Sequence, residues 1–302
     1  MTGQELVHVT APWTLPLVYV LLEVVVLACA LAGFVHAWRA RRRGDLTPLF
    51  TYAVIFVYGV AMELISYNFV KNFTHAQFTV MFYGRQLPLY VTAVYPALLY
   101  AGIMTARRLG LRPAYEGFAA GLLIVAMDVP FDICGPVVHW WSWSDNDPRI
   151  AVRWLDVPVT SYFWHLAFGG ILATLTTLIG PRVRTLPRLA ILTVPVALAV
   201  IVLGVLAFQP FHGLAALGIP EGVLVAAGLV TSLAIGGLAR RQLSTTPDRL
   251  LLAIPALFYA FHLVVGFRFA TGAPLELATI VAVTAFAAAV NLFVHRERGL
   301  RG

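Results

Sequence analysis

Apolar residues in this chain neither alternate nor keep to a one-sided stripe; they fill long runs separated by short polar connections. A membrane span needs roughly 20 apolar residues to cross about 30 Å of hydrocarbon. Nine runs qualify: Trp13–Trp38, Pro48–Phe69, Leu87–Thr105, Tyr115–Val138, Val159–Ile179, Leu189–Phe208, Gly222–Ala239, Leu250–Phe267 and Leu275–Val294. Lipid offers no partner to an unpaired backbone group, and no barrel-like alternation occurs, so each run is predicted to be a helix. The first run is long and no positive charge precedes it, so it reads as a span and not as a cleavable leader. The predicted fold is all-α, a polytopic transmembrane bundle forming one integral membrane domain over residues 1–302. No soluble domain, internal repeat or low-complexity tract is legible; the longest connections are Lys71–Gln86 and Trp140–Pro158.

Composition agrees with that pattern. Only 12% of residues are charged, about half the roughly 25% of soluble domains, which excludes both a water-soluble globule and a disordered chain. The net charge is +7, and every basic residue except Lys71 is arginine. The arginines sit in clusters between apolar runs, so anionic lipid is the expected partner and nucleic acid is not. One set of loops carries Arg39, Arg41, Arg42, Arg43, Arg107, Arg108, Arg112, Arg182, Arg184, Arg188, Arg240, Arg241, Arg249, Arg296, Arg298 and Arg301. The opposite set carries Lys71, Arg85, Arg149, Arg153 and Arg268. This asymmetry predicts the first set to be cytoplasmic, with the N-terminus outside and the C-terminus inside. A bacterial cytoplasmic membrane is the expected location. Cys29 and Cys134 both fall inside apolar runs and offer neither a disulfide framework nor a metal site.

Acids inside spans are costly and mark candidate sites. Glu63 lies about six residues from the outer end of the second run, roughly 9 Å deep at 1.5 Å per residue. Asp128 and Asp132 lie at matching depth in the fourth, one turn apart on a shared face. Gly135 and His139 extend that face, and Pro130 is expected to bend the helix between the acids. The fifth run carries a second polar stripe, Ser161, Tyr162, His165 and Gly169, where the glycine would admit a close helix or an elongated ligand. Between these runs lies a Trp-rich loop with Trp140, Trp141, Trp143, Asp145 and Asn146. Arg85, Lys71, Asn68, Tyr83, His212, Glu221, Arg268 and Glu276 are available as partners at the same edge. Glu23 reads as a polar contact of the first span. The cytoplasmic side shows arginines and little else.

Plainer readings stand beside this one. Either aspartate could pair with Arg85, Arg153 or Arg268 as helix glue. The tryptophans could be an interfacial belt, and His165 and His139 could be packing residues. The eight histidines form no close pair at ligand spacing, so no metal is expected. A two-aspartate magnesium site is disfavoured because only one such acidic pair occurs, on the outer side.

The run Asp128-Val-Pro-Phe-Asp132, then Trp141-Ser-Trp143, then Val157-Pro158-Val-Thr-Ser161, resembles the membrane carotenoid-biosynthesis proteins that hydrate acyclic carotenoid end groups (the bisanhydrobacterioruberin hydratase-like family). Glu63 matches that family's upstream acid. The resemblance spans Glu63 to Gly170, about a third of the chain. The chain departs from the pattern at Ile133, at Ser161, at Trp164-His165 and in a longer Ser144–Asp156 loop, as a divergent relative would.

The resemblance implies an integral membrane enzyme of carotenoid or isoprenoid metabolism. Hydrating an alkene needs an acid able to protonate carbon, a shielded cation and a directed water. A carboxyl group in apolar surroundings keeps its proton because desolvation penalises the anion. Asp128, Asp132, Glu63 and His165 are then the candidate catalytic groups. Trp141, Trp143, Tyr162, Ser161, His139 and Arg85 are candidates for holding a lipid-soluble polyene, with aromatic faces stabilising a cation. Neither metal nor organic cofactor is required. The same groups would serve isomerisation or cyclisation. The alternatives are a non-enzymatic membrane protein that binds or transports a lipid, and an assembly subunit whose acids only hold helices together.

Overall fold

The computed structural model describes residues 6–144, 147–238 and 246–295. Arg240, Arg241, Arg296, Arg298 and Arg301 of the charge pattern, and Asp145 and Asn146 of the Trp-rich loop, lie outside the described residues.

Nine long α-helices carry the described chain: α1 Leu17–Arg42, α2 Thr47–Ile65, α3 Leu89–Arg107, α4 Pro113–Val138, α5 Val159–Ile179, α6 Leu186–Ala216, α7 Glu221–Leu238, α8 Arg249–Phe269 and α9 Pro274–His295. Eight are long and apolar enough to cross a membrane, and α7 is a shorter apolar helix. The molecule is an all-α polytopic bundle.

Helix starts follow local chemistry. Proline occupies the first turn of α2, α4 and α6, where its missing N–H costs nothing. Asp248 caps α8 by accepting from Leu251 N. The sixth run is predicted to stop at Phe208, yet α6 continues through Gln209 and Pro210 to Ala216. At 1.5 Å per residue its 31 residues span about 46 Å, more than the hydrocarbon needs. The first run begins instead at Leu17, after a single turn at Pro12–Thr14.

Contacts fix which helix ends lie together. The Tyr19 hydroxyl donates to the Val138 and His139 carbonyls, placing the start of α1 beside the end of α4. At the opposite end His36, Tyr100 and Asp248 are joined by hydrogen bonds of 2.6 and 3.0 Å. A Cβ added at Gly222 would stand 2.9 Å from the Trp154 ring, whereas one at Gly236 would stand 3.6 Å from Ala119 Cβ near the other end of α4. Thus α7 also runs from one end of the bundle toward the other, despite its shortness. α3 and α4 are buried along most of their length, while α1, α6 and α9 turn Leu31, Leu198 and Leu292 outward, as helices solvated by lipid do.

The two long outer connections are not irregular. Together with the segment before α1, which supplies β1 Val7–Val9, they form β2 Phe73–His75, β3 Val80–Phe82, β4 Leu87–Pro88, β5 Trp141–Trp143, β6 Arg153–Trp154 and β7 Val157–Pro158. β3 pairs antiparallel with β1 and β4, and β6 pairs with β7. β2 pairs with β5 in the register Phe73 opposite Trp143 and His75 opposite Trp141. This pairing ties the α2–α3 connection to the α4–α5 connection. Both connections end alike, with Pro88 and Pro158 closing a short strand and standing immediately before α3 and α5. Proline suits that junction because it ends a ladder and pre-sets helical φ. Glu23 of α1 supports this layer from below, accepting from Thr79 N at 3.1 Å.

The opposite end holds more than surface arginines. Arg107, the last residue of α3, is largely buried and donates to Glu116 of α4, Thr51 of α2, and Thr176 and Thr177 of α5. One guanidinium thereby joins four helices, with its donors matched to fixed oxygens.

Candidate active site

Toward the outer end, α2 to α6 leave between them a cavity of about 430 Å³, within the range of small-molecule sites. Its walls are mostly apolar and aromatic, and β2, β5 and the single turn Pro148–Ile150 also contribute to them. Glu63, Asp128, Asp132 and His165 all face it. The three carboxyl-bearing residues are only 4–5% exposed.

Glu63 sits in the last turn of α2, directly before the helix widens into a π-turn at Ser66–Val70. Such turns insert a residue and re-aim side chains. This one ends at Lys71, whose φ of 56° is left-handed. Glu63 Oε1 accepts the Tyr95 hydroxyl of α3 at 2.8 Å. Its Oε2 lies 3.8 Å from His75 Nε2, and the other nitrogen of His75 is 3.2 Å from the Tyr90 hydroxyl.

Asp128 and Asp132 occupy successive turns of α4, within hydrogen-bonding reach of each other. Asp132 Oδ2 accepts the Ser161 hydroxyl at 2.7 Å. His165 Nδ1 lies 3.1 Å from Asp128 Oδ2 and 3.0 Å from the Ser161 carbonyl. These partners come from α5, which approaches α4 closely. A Cβ at Gly121 would overlap the Leu166 carbonyl, and one at Gly169 would stand 2.6 Å from Ile124. Gly169 therefore admits a helix, not an elongated ligand. The aspartates face His165 and Ser161, not the arginines considered as their partners.

Aromatic rings complete the wall. A Cβ at Gly135 would overlap the Trp141 ring, so β5 lies against α4 one turn beyond Asp132. Trp141 packs on Phe131 at 4.6 Å, and Trp164 stacks on Phe168 at 4.1 Å. Trp143 also lines the cavity. At its rim Arg149 donates to both oxygens of Asp147 at 2.9 Å. That hydrogen-bonded guanidinium holds the Asp147 carboxyl below the usual range and raises Arg149 in turn. Val205, Gln209 and His212 of α6 both line the cavity and are exposed, so it reaches the molecular surface along a lipid-facing helix.

Of the residues expected to hold a substrate, Trp141, Trp143 and Ser161 line the cavity. Three are placed elsewhere. His139 ends α4 in a left-handed conformation with φ of 61°, exposed, its carbonyl accepting from Tyr19. The face through Asp128 and Asp132 thus stops where the helix stops. The Tyr162 hydroxyl donates to the Trp154 carbonyl, one residue step around α5 from Ser161. Arg85 lies exposed in a left-handed turn between β3 and β4. The residues not foreseen are His75, Tyr95, Tyr90, Trp164 and Arg149. His75 stands in a connection that carries no helical period, so only the strand pairing brings it beneath Glu63. Among the described residues, no three His, Cys, Asp or Glu side chains are arranged to hold a metal ion.

The family model described as Domain of unknown function (DUF7802) matches residues 14–182, which run from the last residue of the turn before α1 past the end of α5. That stretch holds Glu63, His75, Asp128, Asp132, Ser161 and His165, and leaves only the α6 wall outside. No curated protein and no solved structure matches the chain. With more than half its length matched, the chain belongs to the DUF7802 family.

Proposed function

We propose that this chain is an enzyme of carotenoid or isoprenoid metabolism in a bacterial cytoplasmic membrane, adding water to a double bond of a lipid-soluble polyene or starting a related step by protonating it. One observation carries the reading: three buried carboxyl groups from two helices meet a histidine and several indoles on the wall of one apolar cavity. Two carboxyls as close as Asp128 and Asp132, with no guanidinium between them, share a proton. That pair is the acid. Its proton passes to the less substituted alkene carbon, the π electrons form the new C–H bond, and a tertiary cation remains. Trp143, Trp164 and Trp141 surround that cation, and the faces of such rings attract positive charge. Water then adds, losing a proton to a base on the wall. A polyene reaches the site from lipid along α6, where the cavity is open.

A transport role is less well supported. A solute path to the other side would have to pass the end where Arg107, Glu116, Thr51 and Thr176 bind one another. The test is extraction of lipids from cells that make an acyclic polyene, with the protein or with its Asp128→Asn variant. Hydrated, cyclised or isomerised polyene in the first and none in the second supports the proposal; equal profiles refute it.

A further inference from the structure

The polar groups of the cavity fall into two halves that differ in how fully they are bonded. On the α4–α5 side, Asp128, Asp132, Ser161 and His165 satisfy one another. On the α2–β2 side, Glu63 Oε2 and His75 Nε2 are buried without a hydrogen-bond partner. Their side chains are 6% and 7% exposed, and both line the cavity. Buried polar atoms of this kind call for an explanation, such as a catalytic role or a bound water. The two atoms are 3.8 Å apart, too far to bond directly and close enough for one oxygen to touch both. Trp143, on the strand paired with the one bearing His75, lines the same cavity, and its Nε1 is a third such atom.

The hydrogen bonds also assign roles. Tyr90 has His75 Nδ1 as its partner at 3.2 Å. When that hydroxyl donates, the His75 proton sits on Nε2 and points toward Glu63. Tyr95 holds the other Glu63 oxygen at 2.8 Å, so Oε2 stays aimed into the cavity. A donor and an acceptor then bracket one site, which orients a water as well as holding it.

We propose that Glu63 and His75 form the water-handling half of the site, opposite the Asp128–Asp132 half that gives the proton. This rests on the hydration reading above. Glu63 is the base, and His75 is a positioning residue. The acid pair loses its proton to carbon; a water lone pair then forms the C–O bond to the tertiary cation. One water O–H bond breaks and its proton goes to Glu63, which returns it to the aspartate pair through solvent. The sum is alkene plus one water giving a tertiary alcohol, with nothing oxidised or reduced.

The experiment separates protonation from water capture. Membranes holding the full chain are incubated in D2O with lycopene, an acyclic polyene with isopropylidene ends, and products are read by mass spectrometry. Wild type should give the alcohol. Glu63→Gln and His75→Phe should lower alcohol about 100-fold, the usual scale for losing a general base. They should still place deuterium on the alkene carbon, because the cation forms and reverts. Asp128→Asn should lose both signals, and His75→Gln, which restores a donor, should recover part of the alcohol. Tyr95→Phe, which frees Glu63 without altering its charge, should show the same split more weakly and serves if His75→Phe does not fold. Near-wild-type alcohol from Glu63→Gln and His75→Phe would overturn this assignment, as would joint loss of alcohol and exchange in folded variants. A wild type that exchanges deuterium without making alcohol also overturns it, while leaving the proton-initiated reading intact. A wild type doing neither refutes that reading as well.

Discussion

His165 Nδ1 stands 3.1 Å from Asp128 Oδ2 and 3.0 Å from the Ser161 carbonyl, so one ring nitrogen joins a buried carboxyl of α4 to the backbone of α5. Ser161 makes the neighbouring link to Asp132 through its hydroxyl. The acid pair is thus held from one side by a single turn of a facing helix.

Substitutions in this turn should be graded. Asp132→Asn removes the shared proton and should lower product formation by at least about 100-fold. Ser161→Ala removes one hydrogen bond of about 1 kcal/mol and should lower it about fivefold. Single-turnover assays on membranes with matched protein levels would measure both. Equal effects would mean that position, not acidity, is what Asp132 supplies.

The α4–α5 seam should tolerate no added carbon at Gly121, where a Cβ would overlap the Leu166 carbonyl. Replacing glycine by alanine inside a helix gains about 1 kcal/mol of propensity, but overpacking against backbone costs about 1–3 kcal/mol, so the loss wins. Gly121→Ala should lower the Tm in detergent and weaken activity by parting Asp128 from His165. Gly213→Ala, with nothing within 4 Å, should leave the Tm unchanged or raise it. Thermal unfolding of the pair checks this.

Asp248 gives a pH signature at the other end of the bundle. Its hydrogen bond with His36, first, and with Leu251 N hold its carboxyl well below the usual carboxylate range. A depressed folded value means the stabilisation is full above the unfolded value of about 3.9 and is lost as pH falls through the folded one. Asp248→Asn keeps a capping oxygen for Leu251 N but loses the carboxylate that His36 bonds, and should therefore cost about 1 kcal/mol at pH 7, the usual worth of one hydrogen bond. The gap from wild type should narrow below about pH 4. Unfolding of both chains across pH 3–8 would show it, and a gap that widens toward acid would contradict the assignment.

Orientation is open to direct test. Both native cysteines are buried, so a cysteine at Ser144, in the connection after β5, provides a single accessible thiol. A membrane-impermeant maleimide added to intact cells should label Ser144→Cys, whereas Thr185→Cys, before α6, should need permeabilised cells. The reverse pattern would invert the topology expected from the arginines.

Much of this architecture is legible in the sequence because lipid imposes one rule on every apolar run. The ends of α4 and α5 fall within a few residues of expectation, and Glu63, Asp128, Asp132 and His165 stand out because charge is costly at that depth. What lies between spans follows no such rule. His75 and Trp143 acquire their places from the pairing of β2 with β5, a contact between segments about 70 residues apart that periodicity does not encode. His139 is misread for a related reason: extrapolating a helical face assumes the helix continues, and α4 ends at Val138. Arg107 looks like another topology signal in sequence, and only the approach of Thr51, Glu116 and Thr176 makes it internal.

In the reaction proposed for this site, the shared proton of Asp128 and Asp132 is delivered to a carbon–carbon double bond. Delivery of that proton is probed by brief incubation in D2O of membranes from cells making wild type, Asp128→Asn or Asp132→Asn with a preformed acyclic polyene, followed by lipid extraction. Wild type alone should yield deuterium bound to carbon in the polyene, together with a product heavier by one D2O. Identical extracts from all three strains, with each protein present and folded in the membrane, would contradict it.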